Sequence, residues 1–222
     1  MESFKIERPA STVDFEKIKM DALQTLYSYE QERFYIDKGG VGTVYELPAG
    51  FCLKVLEDRH TSPNKHLFDL GNTPYVEARI QEQMSHTNYT GKTRVPRMFG
   101  VITSSSDERK SAIIMERLQA VNLQHIINGT TQLPEGFSID DYFSDLEKFV
   151  QHMHEVEQIA HNDLFARNIM VDNMNSEPRV IDFGRSINLA NTDSKLEKQR
   201  FMDSDYKNLD DVFTDLDALQ TN

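Results

Sequence analysis

Hydrophobic and polar positions change period several times along the chain. In STVDFEKIKMDALQTLYS, residues 11–28, the apolar positions Phe15, Ile18, Ala22 and Leu26 fall on one helical face. Ser11 with Asp14 three residues on resembles a capping box, so a helix is predicted here. Residues 33–58, RFYIDKGGVGTVYELPAGFCLKVLED, read instead as short β-rich runs. Gly39, Gly40 and Gly42 punctuate them, and Pro48-Ala49-Gly50 makes a second turn. Asn72-Thr73-Pro74 opens a second helix that runs to about Met84, with Pro in its first turn, where a missing N–H is harmless. Two further strands are predicted in VPRMFGVI and SAIIMERL, separated by the polar turn Ser104-Ser105-Ser106-Asp107.

The second half is helical at first. Ser138 with Asp141 caps a helix whose apolar positions Leu146, Phe149, Val150 and Met153 form a core-facing stripe. HNDLFARN, residues 161–168, follows it. Two short strands, IMV and RVI, flank the polar turn Asp172-Asn173-Met174-Asn175, and DFG spans Asp182 to Gly184. After a polar stretch a last helix is predicted from about Asp205 to Leu219, with Tyr206, Leu209, Phe213 and Leu216 as its stripe. The fold class is therefore α+β. Residues 1–30 form an N-terminal helical extension, 31–117 a lobe of sheet plus one helix, and 118–222 a reduced helical lobe.

Composition narrows the function classes. Apolar residues make up 38% of the 222, and no apolar run approaches the about 20 residues of a membrane span. The first residues carry no secretory pattern, so the sequons at Asn88 and Asn128 read as chance matches. A single Cys, Cys52, excludes an internal disulfide framework and a multi-Cys zinc site. The net charge of -12 argues against general nucleic-acid affinity, which needs basic surface. Any polyphosphate must then be met by local cations. The expectation is no nucleic acid and no membrane.

Several residues could carry chemistry. A Gly-tipped hairpin, D-K-G-G-V-G-T-V, lets backbone N–H groups approach phosphate oxygens, and equally makes a plain tight turn. Lys54 stands inside an apolar strand, where a buried ammonium needs a partner, and Glu77 in YVEARI is the candidate; a solvent-facing edge Lys is the alternative. Asp163, Asn168 and Asp182 each read singly as turn or cap residues. Together they match what phosphoryl transfer from ATP requires. Asp163 suits a carboxylate that handles the acceptor hydroxyl, and Asn168 and Asp182 are oxygen ligands for magnesium. Lys54 and the Gly loop would neutralise the phosphates.

The set GGVGTV, Lys54 in FCLK, Glu77, HNDLFARN and DFG resembles the protein kinase superfamily over about residues 33–186. The resemblance implies a bilobal kinase-like fold with a truncated helical C-terminal lobe. It implies ATP and Mg2+ as cofactors and a protein hydroxyl as acceptor, serine or threonine favoured over tyrosine. Gly39, Gly40, Gly42, Val44, Cys52, Lys54, Met115, Glu116 and Leu118 would line the nucleotide site, with Met115 as gatekeeper. Asp163, Lys54, Glu77 and Arg167 would be the catalytic set, and Asn168 and Asp182 the metal ligands. His154 resembles the His that ends the long helix of the large lobe, and Asp205 the buried Asp that supports the catalytic loop.

The chain departs from the family pattern at four places. Asp37 replaces the first Gly of the phosphate loop. Asn162 replaces the Arg that pairs with a phosphorylated activation loop, which implies activity without that phosphate. Phe165 replaces the Lys usual in serine/threonine kinases, and Arg167, placed as in tyrosine kinases, would supply the charge, which leaves the acceptor hydroxyl open between the two classes. Only residues 185–222 follow DFG, as in short bacterial effector kinases. A stabilising or activating protein partner is expected, and a cytoplasmic location or secretion as an effector into a host cytosol. The alternatives are a small-molecule phosphotransferase and a non-catalytic ATP-binding interaction module.

Overall fold

The structure, a computed structural model, describes residues 15–27, 34–38, 42–56, 73–103 and 111–220. Ser11, Gly39, Gly40, Asn72 and the turn at 104–107 lie outside the described residues. The chain divides into two units. One holds Met1–Arg79 and Arg97–Arg117, the other Ile80–Pro96 and Leu118–Asn222.

The first unit is a five-stranded antiparallel sheet in the order β1-β2-β3-β5-β4. Its strands are β1 Tyr35–Lys38, β2 Gly42–Leu47, β3 Phe51–Leu56, β4 Met98–Thr103 and β5 Ser111–Glu116. Successive strand residues point to opposite faces, and the sequence alternates accordingly. Tyr45, Leu47, Phe51, Leu53, Ala112 and Ile114 share a core with Ile18 and Ala22 of helix α1, Phe15–Tyr27. Helix α1 thus belongs to the core of the sheet unit. The β2–β3 turn is a short 3-10 segment in which Ala49 and Gly50 have φ of 60° and 81°. Gly42 is needed for another reason. A Cβ there would lie 2.7 Å from the Val55 carbonyl oxygen, so a side chain would push β2 and β3 apart.

Helix α2, Pro74–Ser85, begins with Pro as expected, and the Thr73 hydroxyl accepts from the Val76 N–H at 3.3 Å. Segment Ile80–Pro96 falls in the second unit, where the sequence had suggested the sheet lobe. The cause is packing. Ile80, Met84 and Val95 join Leu146, Phe149, Val150 and Met153 in the core of the second unit.

That core is built on α4, Ile139–Glu155, whose Ser138 hydroxyl accepts from Asp141 N–H at 3.3 Å. Before α4 come β6, Ala120–Asn122, and α3, Leu123–Ile127, capped by Asn122 Oδ1 on His125 N–H at 2.9 Å. After it come β7 Ile159–Ala160, β8 Ile169–Asp172, β9 Pro178–Val180 and β10 Ile187–Asn188. They form a β6-β8-β9 sheet and a β7–β10 pair.

The last helix, α5, spans Lys195–Gln220 and so starts ten residues before the predicted Asp205. Its early turns, KLEKQR, are solvated nearly all round, which leaves no apolar period to read. The Ser194 hydroxyl accepts from Glu197 N–H at 3.3 Å and marks the true start. The buried face also differs from the predicted stripe. It is Asp205, Asn208, Leu209, Val212 and Leu216, while Tyr206 is 37% exposed.

One carboxylate fastens the connection after α2 to α4. Asp145 Oδ2 accepts from the Thr93 N–H and hydroxyl, each at 2.6 Å, and Oδ1 from Lys92 N–H at 2.9 Å and the Tyr89 hydroxyl at 3.0 Å. Burial alone would raise this carboxyl, but the bonds from Thr93, Lys92 and Tyr89 outweigh it and hold the group below the ordinary carboxylate range. A depressed folded-state pKa contributes stability that is present above the unfolded value of about 4 and is lost as pH falls through the folded one. Asp145→Asn should therefore flatten the acid limb of stability between pH 5 and pH 2, about. Urea unfolding across that range checks it, and an unchanged acid limb in the variant would refute it.

Candidate active site

In the first unit, strand register gathers Val44, Cys52, Lys54 and Met115 of the expected nucleotide-site residues on one face, while Glu116 pairs with Phe51 on the other. Val44 pairs with Lys54 and Lys54 with Ile113; in the next row Glu46 pairs with Cys52 and Cys52 with Met115. Directly paired residues share a face, opposite the face that packs on α1. Lys54 Nζ donates to Glu77 Oε1 at 2.6 Å, and both side chains are buried, 7% and 3% exposed. Lys54 is thus a paired interior cation and not a solvent-facing edge Lys. Cys52 Sγ lies 3.6 Å from the Glu116 carbonyl oxygen. Burial pushes its thiol up to about 12, so it stays protonated and serves as a small packing group. Glu116 N–H donates to the Arg97 carbonyl at 2.9 Å, which fixes the end of β5. Leu118, at the start of the second unit, is partly buried.

In the second unit, HNDLFARN hangs from α5. The fully buried Asp205 accepts from His161 N–H and Asn162 N–H, each at 2.7 Å, and from His154 Nε2 at 2.9 Å. Asn162 sits at φ 58°, a left-handed conformation that Asn tolerates better than most residues. Its Nδ2 donates to the Arg185 carbonyl at 3.3 Å. His161 Nε2 donates to the Ile181 carbonyl at 3.0 Å, and its ring packs on Phe183 with centroids 4.9 Å apart. The loop is therefore tied to α5 by its backbone and to the DFG segment by its side chains.

This frame holds Asp163 by both carboxylate oxygens. Arg167 Nη2 donates to Oδ1 at 2.6 Å, and Asn168 Nδ2 donates to Oδ2 at 2.9 Å and to the Asp163 carbonyl at 2.8 Å. The guanidinium of Arg167 lies 4.7 Å from the Phe165 ring centroid. Both uses of the Asn168 amide nitrogen face Asp163, so its orientation is set and its amide oxygen is directed elsewhere. Asp182 is left-handed at φ 65° and accepts from Gly184 N–H at 3.3 Å. Asn168 and Asp182 offer hard oxygen donors, the chemistry magnesium takes together with phosphate and water. Among the described residues no cluster of three His, Cys, Asp or Glu offers a competing metal site.

A family model for the protein kinase domain matches residues 31–208. The chain belongs to the protein kinase family. It is 26% identical over 150 residues to serine/threonine-protein kinase nekl-2 of Caenorhabditis elegans, covering 64% of this chain and 42% of that protein. It is 28% identical over 88 residues to mitogen-activated protein kinase kinase 3 of Arabidopsis thaliana, covering 40% and 16%. The kinase thus spans less than half the length of either relative.

Sequence reading passed over Arg185, whose Nη1 lies 3.8 Å from Asp163 Oδ1. The residue after DFG carries no general pattern that would flag it, and only its proximity to Asp163 does so. Asp205 stands where the sequence had placed it, though inside a helix longer than expected. Replacing Asp205 by Asn keeps one acceptor oxygen but turns an NH2 toward a backbone donor. Asp205→Asn should destabilise the kinase by about 3–5 kcal/mol, the scale of breaking a buried charged network. Chemical denaturation measures it, and a loss under about 1 kcal/mol would show that the carboxylate is not the anchor.

Proposed function

We propose that this kinase transfers the γ-phosphate of ATP, with magnesium, to a hydroxyl on a protein, with serine or threonine favoured over tyrosine. The observation that carries the reading is the buried Lys54–Glu77 pair at 2.6 Å. A buried ion pair is poor value for stability, because desolvation offsets most of its attraction. Its position on the face shared with Val44, Cys52 and Met115 gives it a task instead, that of holding an ammonium ready for phosphate oxygens. Val44, Cys52 and Met115 supply the apolar surface for adenine beside it. Glu116 and Leu118 stand at the ends of the segment that would bond the adenine edge.

Asp163 orients the acceptor hydroxyl and takes its proton. Arg167 balances charge at Asp163 Oδ1 and, on its Phe165 platform, stands near the transferred group. Asn168 and Asp182 are the residues that would hold magnesium, which supplies charge neutralisation at the phosphates when bound. The serine/threonine preference rests on the likeness to nekl-2, a serine/threonine-protein kinase.

Purified protein with labelled ATP and magnesium, alone and with a lysate, tests this. Asp163→Ala and Asp182→Ala should each lower label transfer to protein by at least about a hundredfold while the melting temperature holds; Lys54→Met should lower transfer as much but also lower the melting temperature, because it strands the buried Glu77 carboxylate. Transfer to small molecules alone would move the acceptor class, and no transfer by the unaltered chain would leave a nucleotide-binding module.

Asn162 carries a second expectation. With its N–H on Asp205 and its Nδ2 on the Arg185 carbonyl, it orders the loop with no phosphate. Phosphatase-treated protein should retain its activity within about twofold, and a loss restored by rephosphorylation would refute this.

A further inference from the structure

Arg185 has no task in the reading above, yet its surroundings give it one. Its side chain is 28% exposed, against 51% for Arg167. Among the described residues its guanidinium donates no hydrogen bond; its nearest anion, Asp163 Oδ1, is 3.8 Å away and already takes a 2.6 Å bond from Arg167. A guanidinium brings five N–H donors in a planar fork that fits a carboxylate or phosphate bidentately. Its donors face solvent and are not taken up by the described residues, so an arriving anion can engage the whole fork without displacing a protein partner. The group is also held in place. Its carbonyl accepts from Asn162 Nδ2 at 3.3 Å, and the next residue closes the turn by donating Ser186 N–H to the Phe183 carbonyl at 3.1 Å.

Two cations therefore share one carboxylate oxygen, the oxygen beside which an acceptor hydroxyl must come if Asp163 is to take its proton. We propose that Arg185, with Arg167 beside it, is a specificity-determining residue that recognises an acidic side chain close to the acceptor hydroxyl, so that the substrates are acidic peptides. This rests on the kinase reading of the same site. The nucleotide phosphates have their own cations in that reading, Lys54 and magnesium, which leaves Arg185 for the acceptor. The chain as a whole, at -12, repels an acidic peptide. Screening confines that repulsion to about 8 Å at physiological salt, so recognition has to come from direct contact, which the Arg185 fork provides.

The test uses the phosphatase-treated 222-residue chain and two fluorescent peptides that share one serine and differ only in flanking Asp/Glu or Ala/Gln. Binding is read by anisotropy, and transfer by kcat and KM, for the unaltered chain, Arg185→Gln and Arg185→Lys. The unaltered chain should bind the acidic peptide about tenfold tighter, the scale of one charge-assisted bidentate contact. Arg185→Gln should reduce that preference to about twofold, mainly through KM, with KM for ATP and the melting temperature nearly unmoved. Arg185→Lys, which keeps the charge and loses the fork, should fall between.

An unaltered chain that binds both peptides equally overturns the proposal. So does an Arg185→Gln variant that loses kcat equally on both peptides, or one whose main change is KM for ATP. Arg185-dependent binding of the acidic peptide without transfer would uphold recognition and sink the kinase reading. Equal transfer to both peptides would uphold the kinase reading and sink this one.

Discussion

The buried carboxylate of Asp205 is the group on which the arrangement of the second unit depends. Three N–H donors converge on it: two from consecutive backbone positions of the loop, and one from His154 on α4. A fully buried carboxylate without such donors would be strongly destabilising. With them it becomes a fixed point that joins α4, α5 and the loop. Two successive N–H groups can point to one carboxylate only if the chain turns sharply between them, and Asn162 at φ 58° makes that turn. Asp163 then emerges in one direction only. Its oxygens meet Arg167 and Asn168, and the amide oxygen of Asn168 is oriented as a consequence. The chemistry of the loop is set by an anchor that takes no part in it.

The first unit solves a similar problem with a cation. Strand β3 must bury Leu53 against α1 and, on the opposite face, present a charged group. Alternation along the strand makes both possible within FCLKVL. Glu77 on α2 then partners Lys54 where water is scarce. Close strand spacing matters to the same face. The Val55 carbonyl leaves no room for a Cβ at Gly42, and Val44 stands two residues on, paired with Lys54. A residue larger than Gly would move Val44 as well.

Features with a strong local signal were legible in the sequence. Ser138 and the stripe Leu146, Phe149, Val150 and Met153 gave α4 with its cap, because buried apolar period and capping chemistry are both written locally. Lys54 and Glu77 were legible as a pair because a charge inside an apolar run demands one. Helix α5 was misjudged at its start because solvated turns have no period. The stripe expected there also shifted, because the helix turns Asp205 and Asn208 inward alongside Leu209 and Val212. Polar residues that face a core are invisible to a hydrophobicity pattern. The membership of Ile80–Pro96 was hidden for a further reason, since only tertiary packing decides which core Ile80, Met84 and Val95 enter.

The exchange at position 162 ties these points together. An Arg there would bring a cation beside the loop, but Asn meets the left-handed backbone at lower strain and bonds the Arg185 carbonyl. Positive charge is returned to Asp163 from two other places, Arg167 within the loop and Arg185 just past Gly184. Conformation and charge, which one residue would otherwise have to serve together, are divided among three. Arg167 is committed by a short bond to Asp163 and by its place on Phe165, so it has little freedom left to answer a new anion. Arg185 is held by its backbone and by one long ion pair to Asp163, and keeps its whole fork of hydrogen-bond donors. In an acidic chain, that makes it the group best suited to sense the charge of what approaches Asp163.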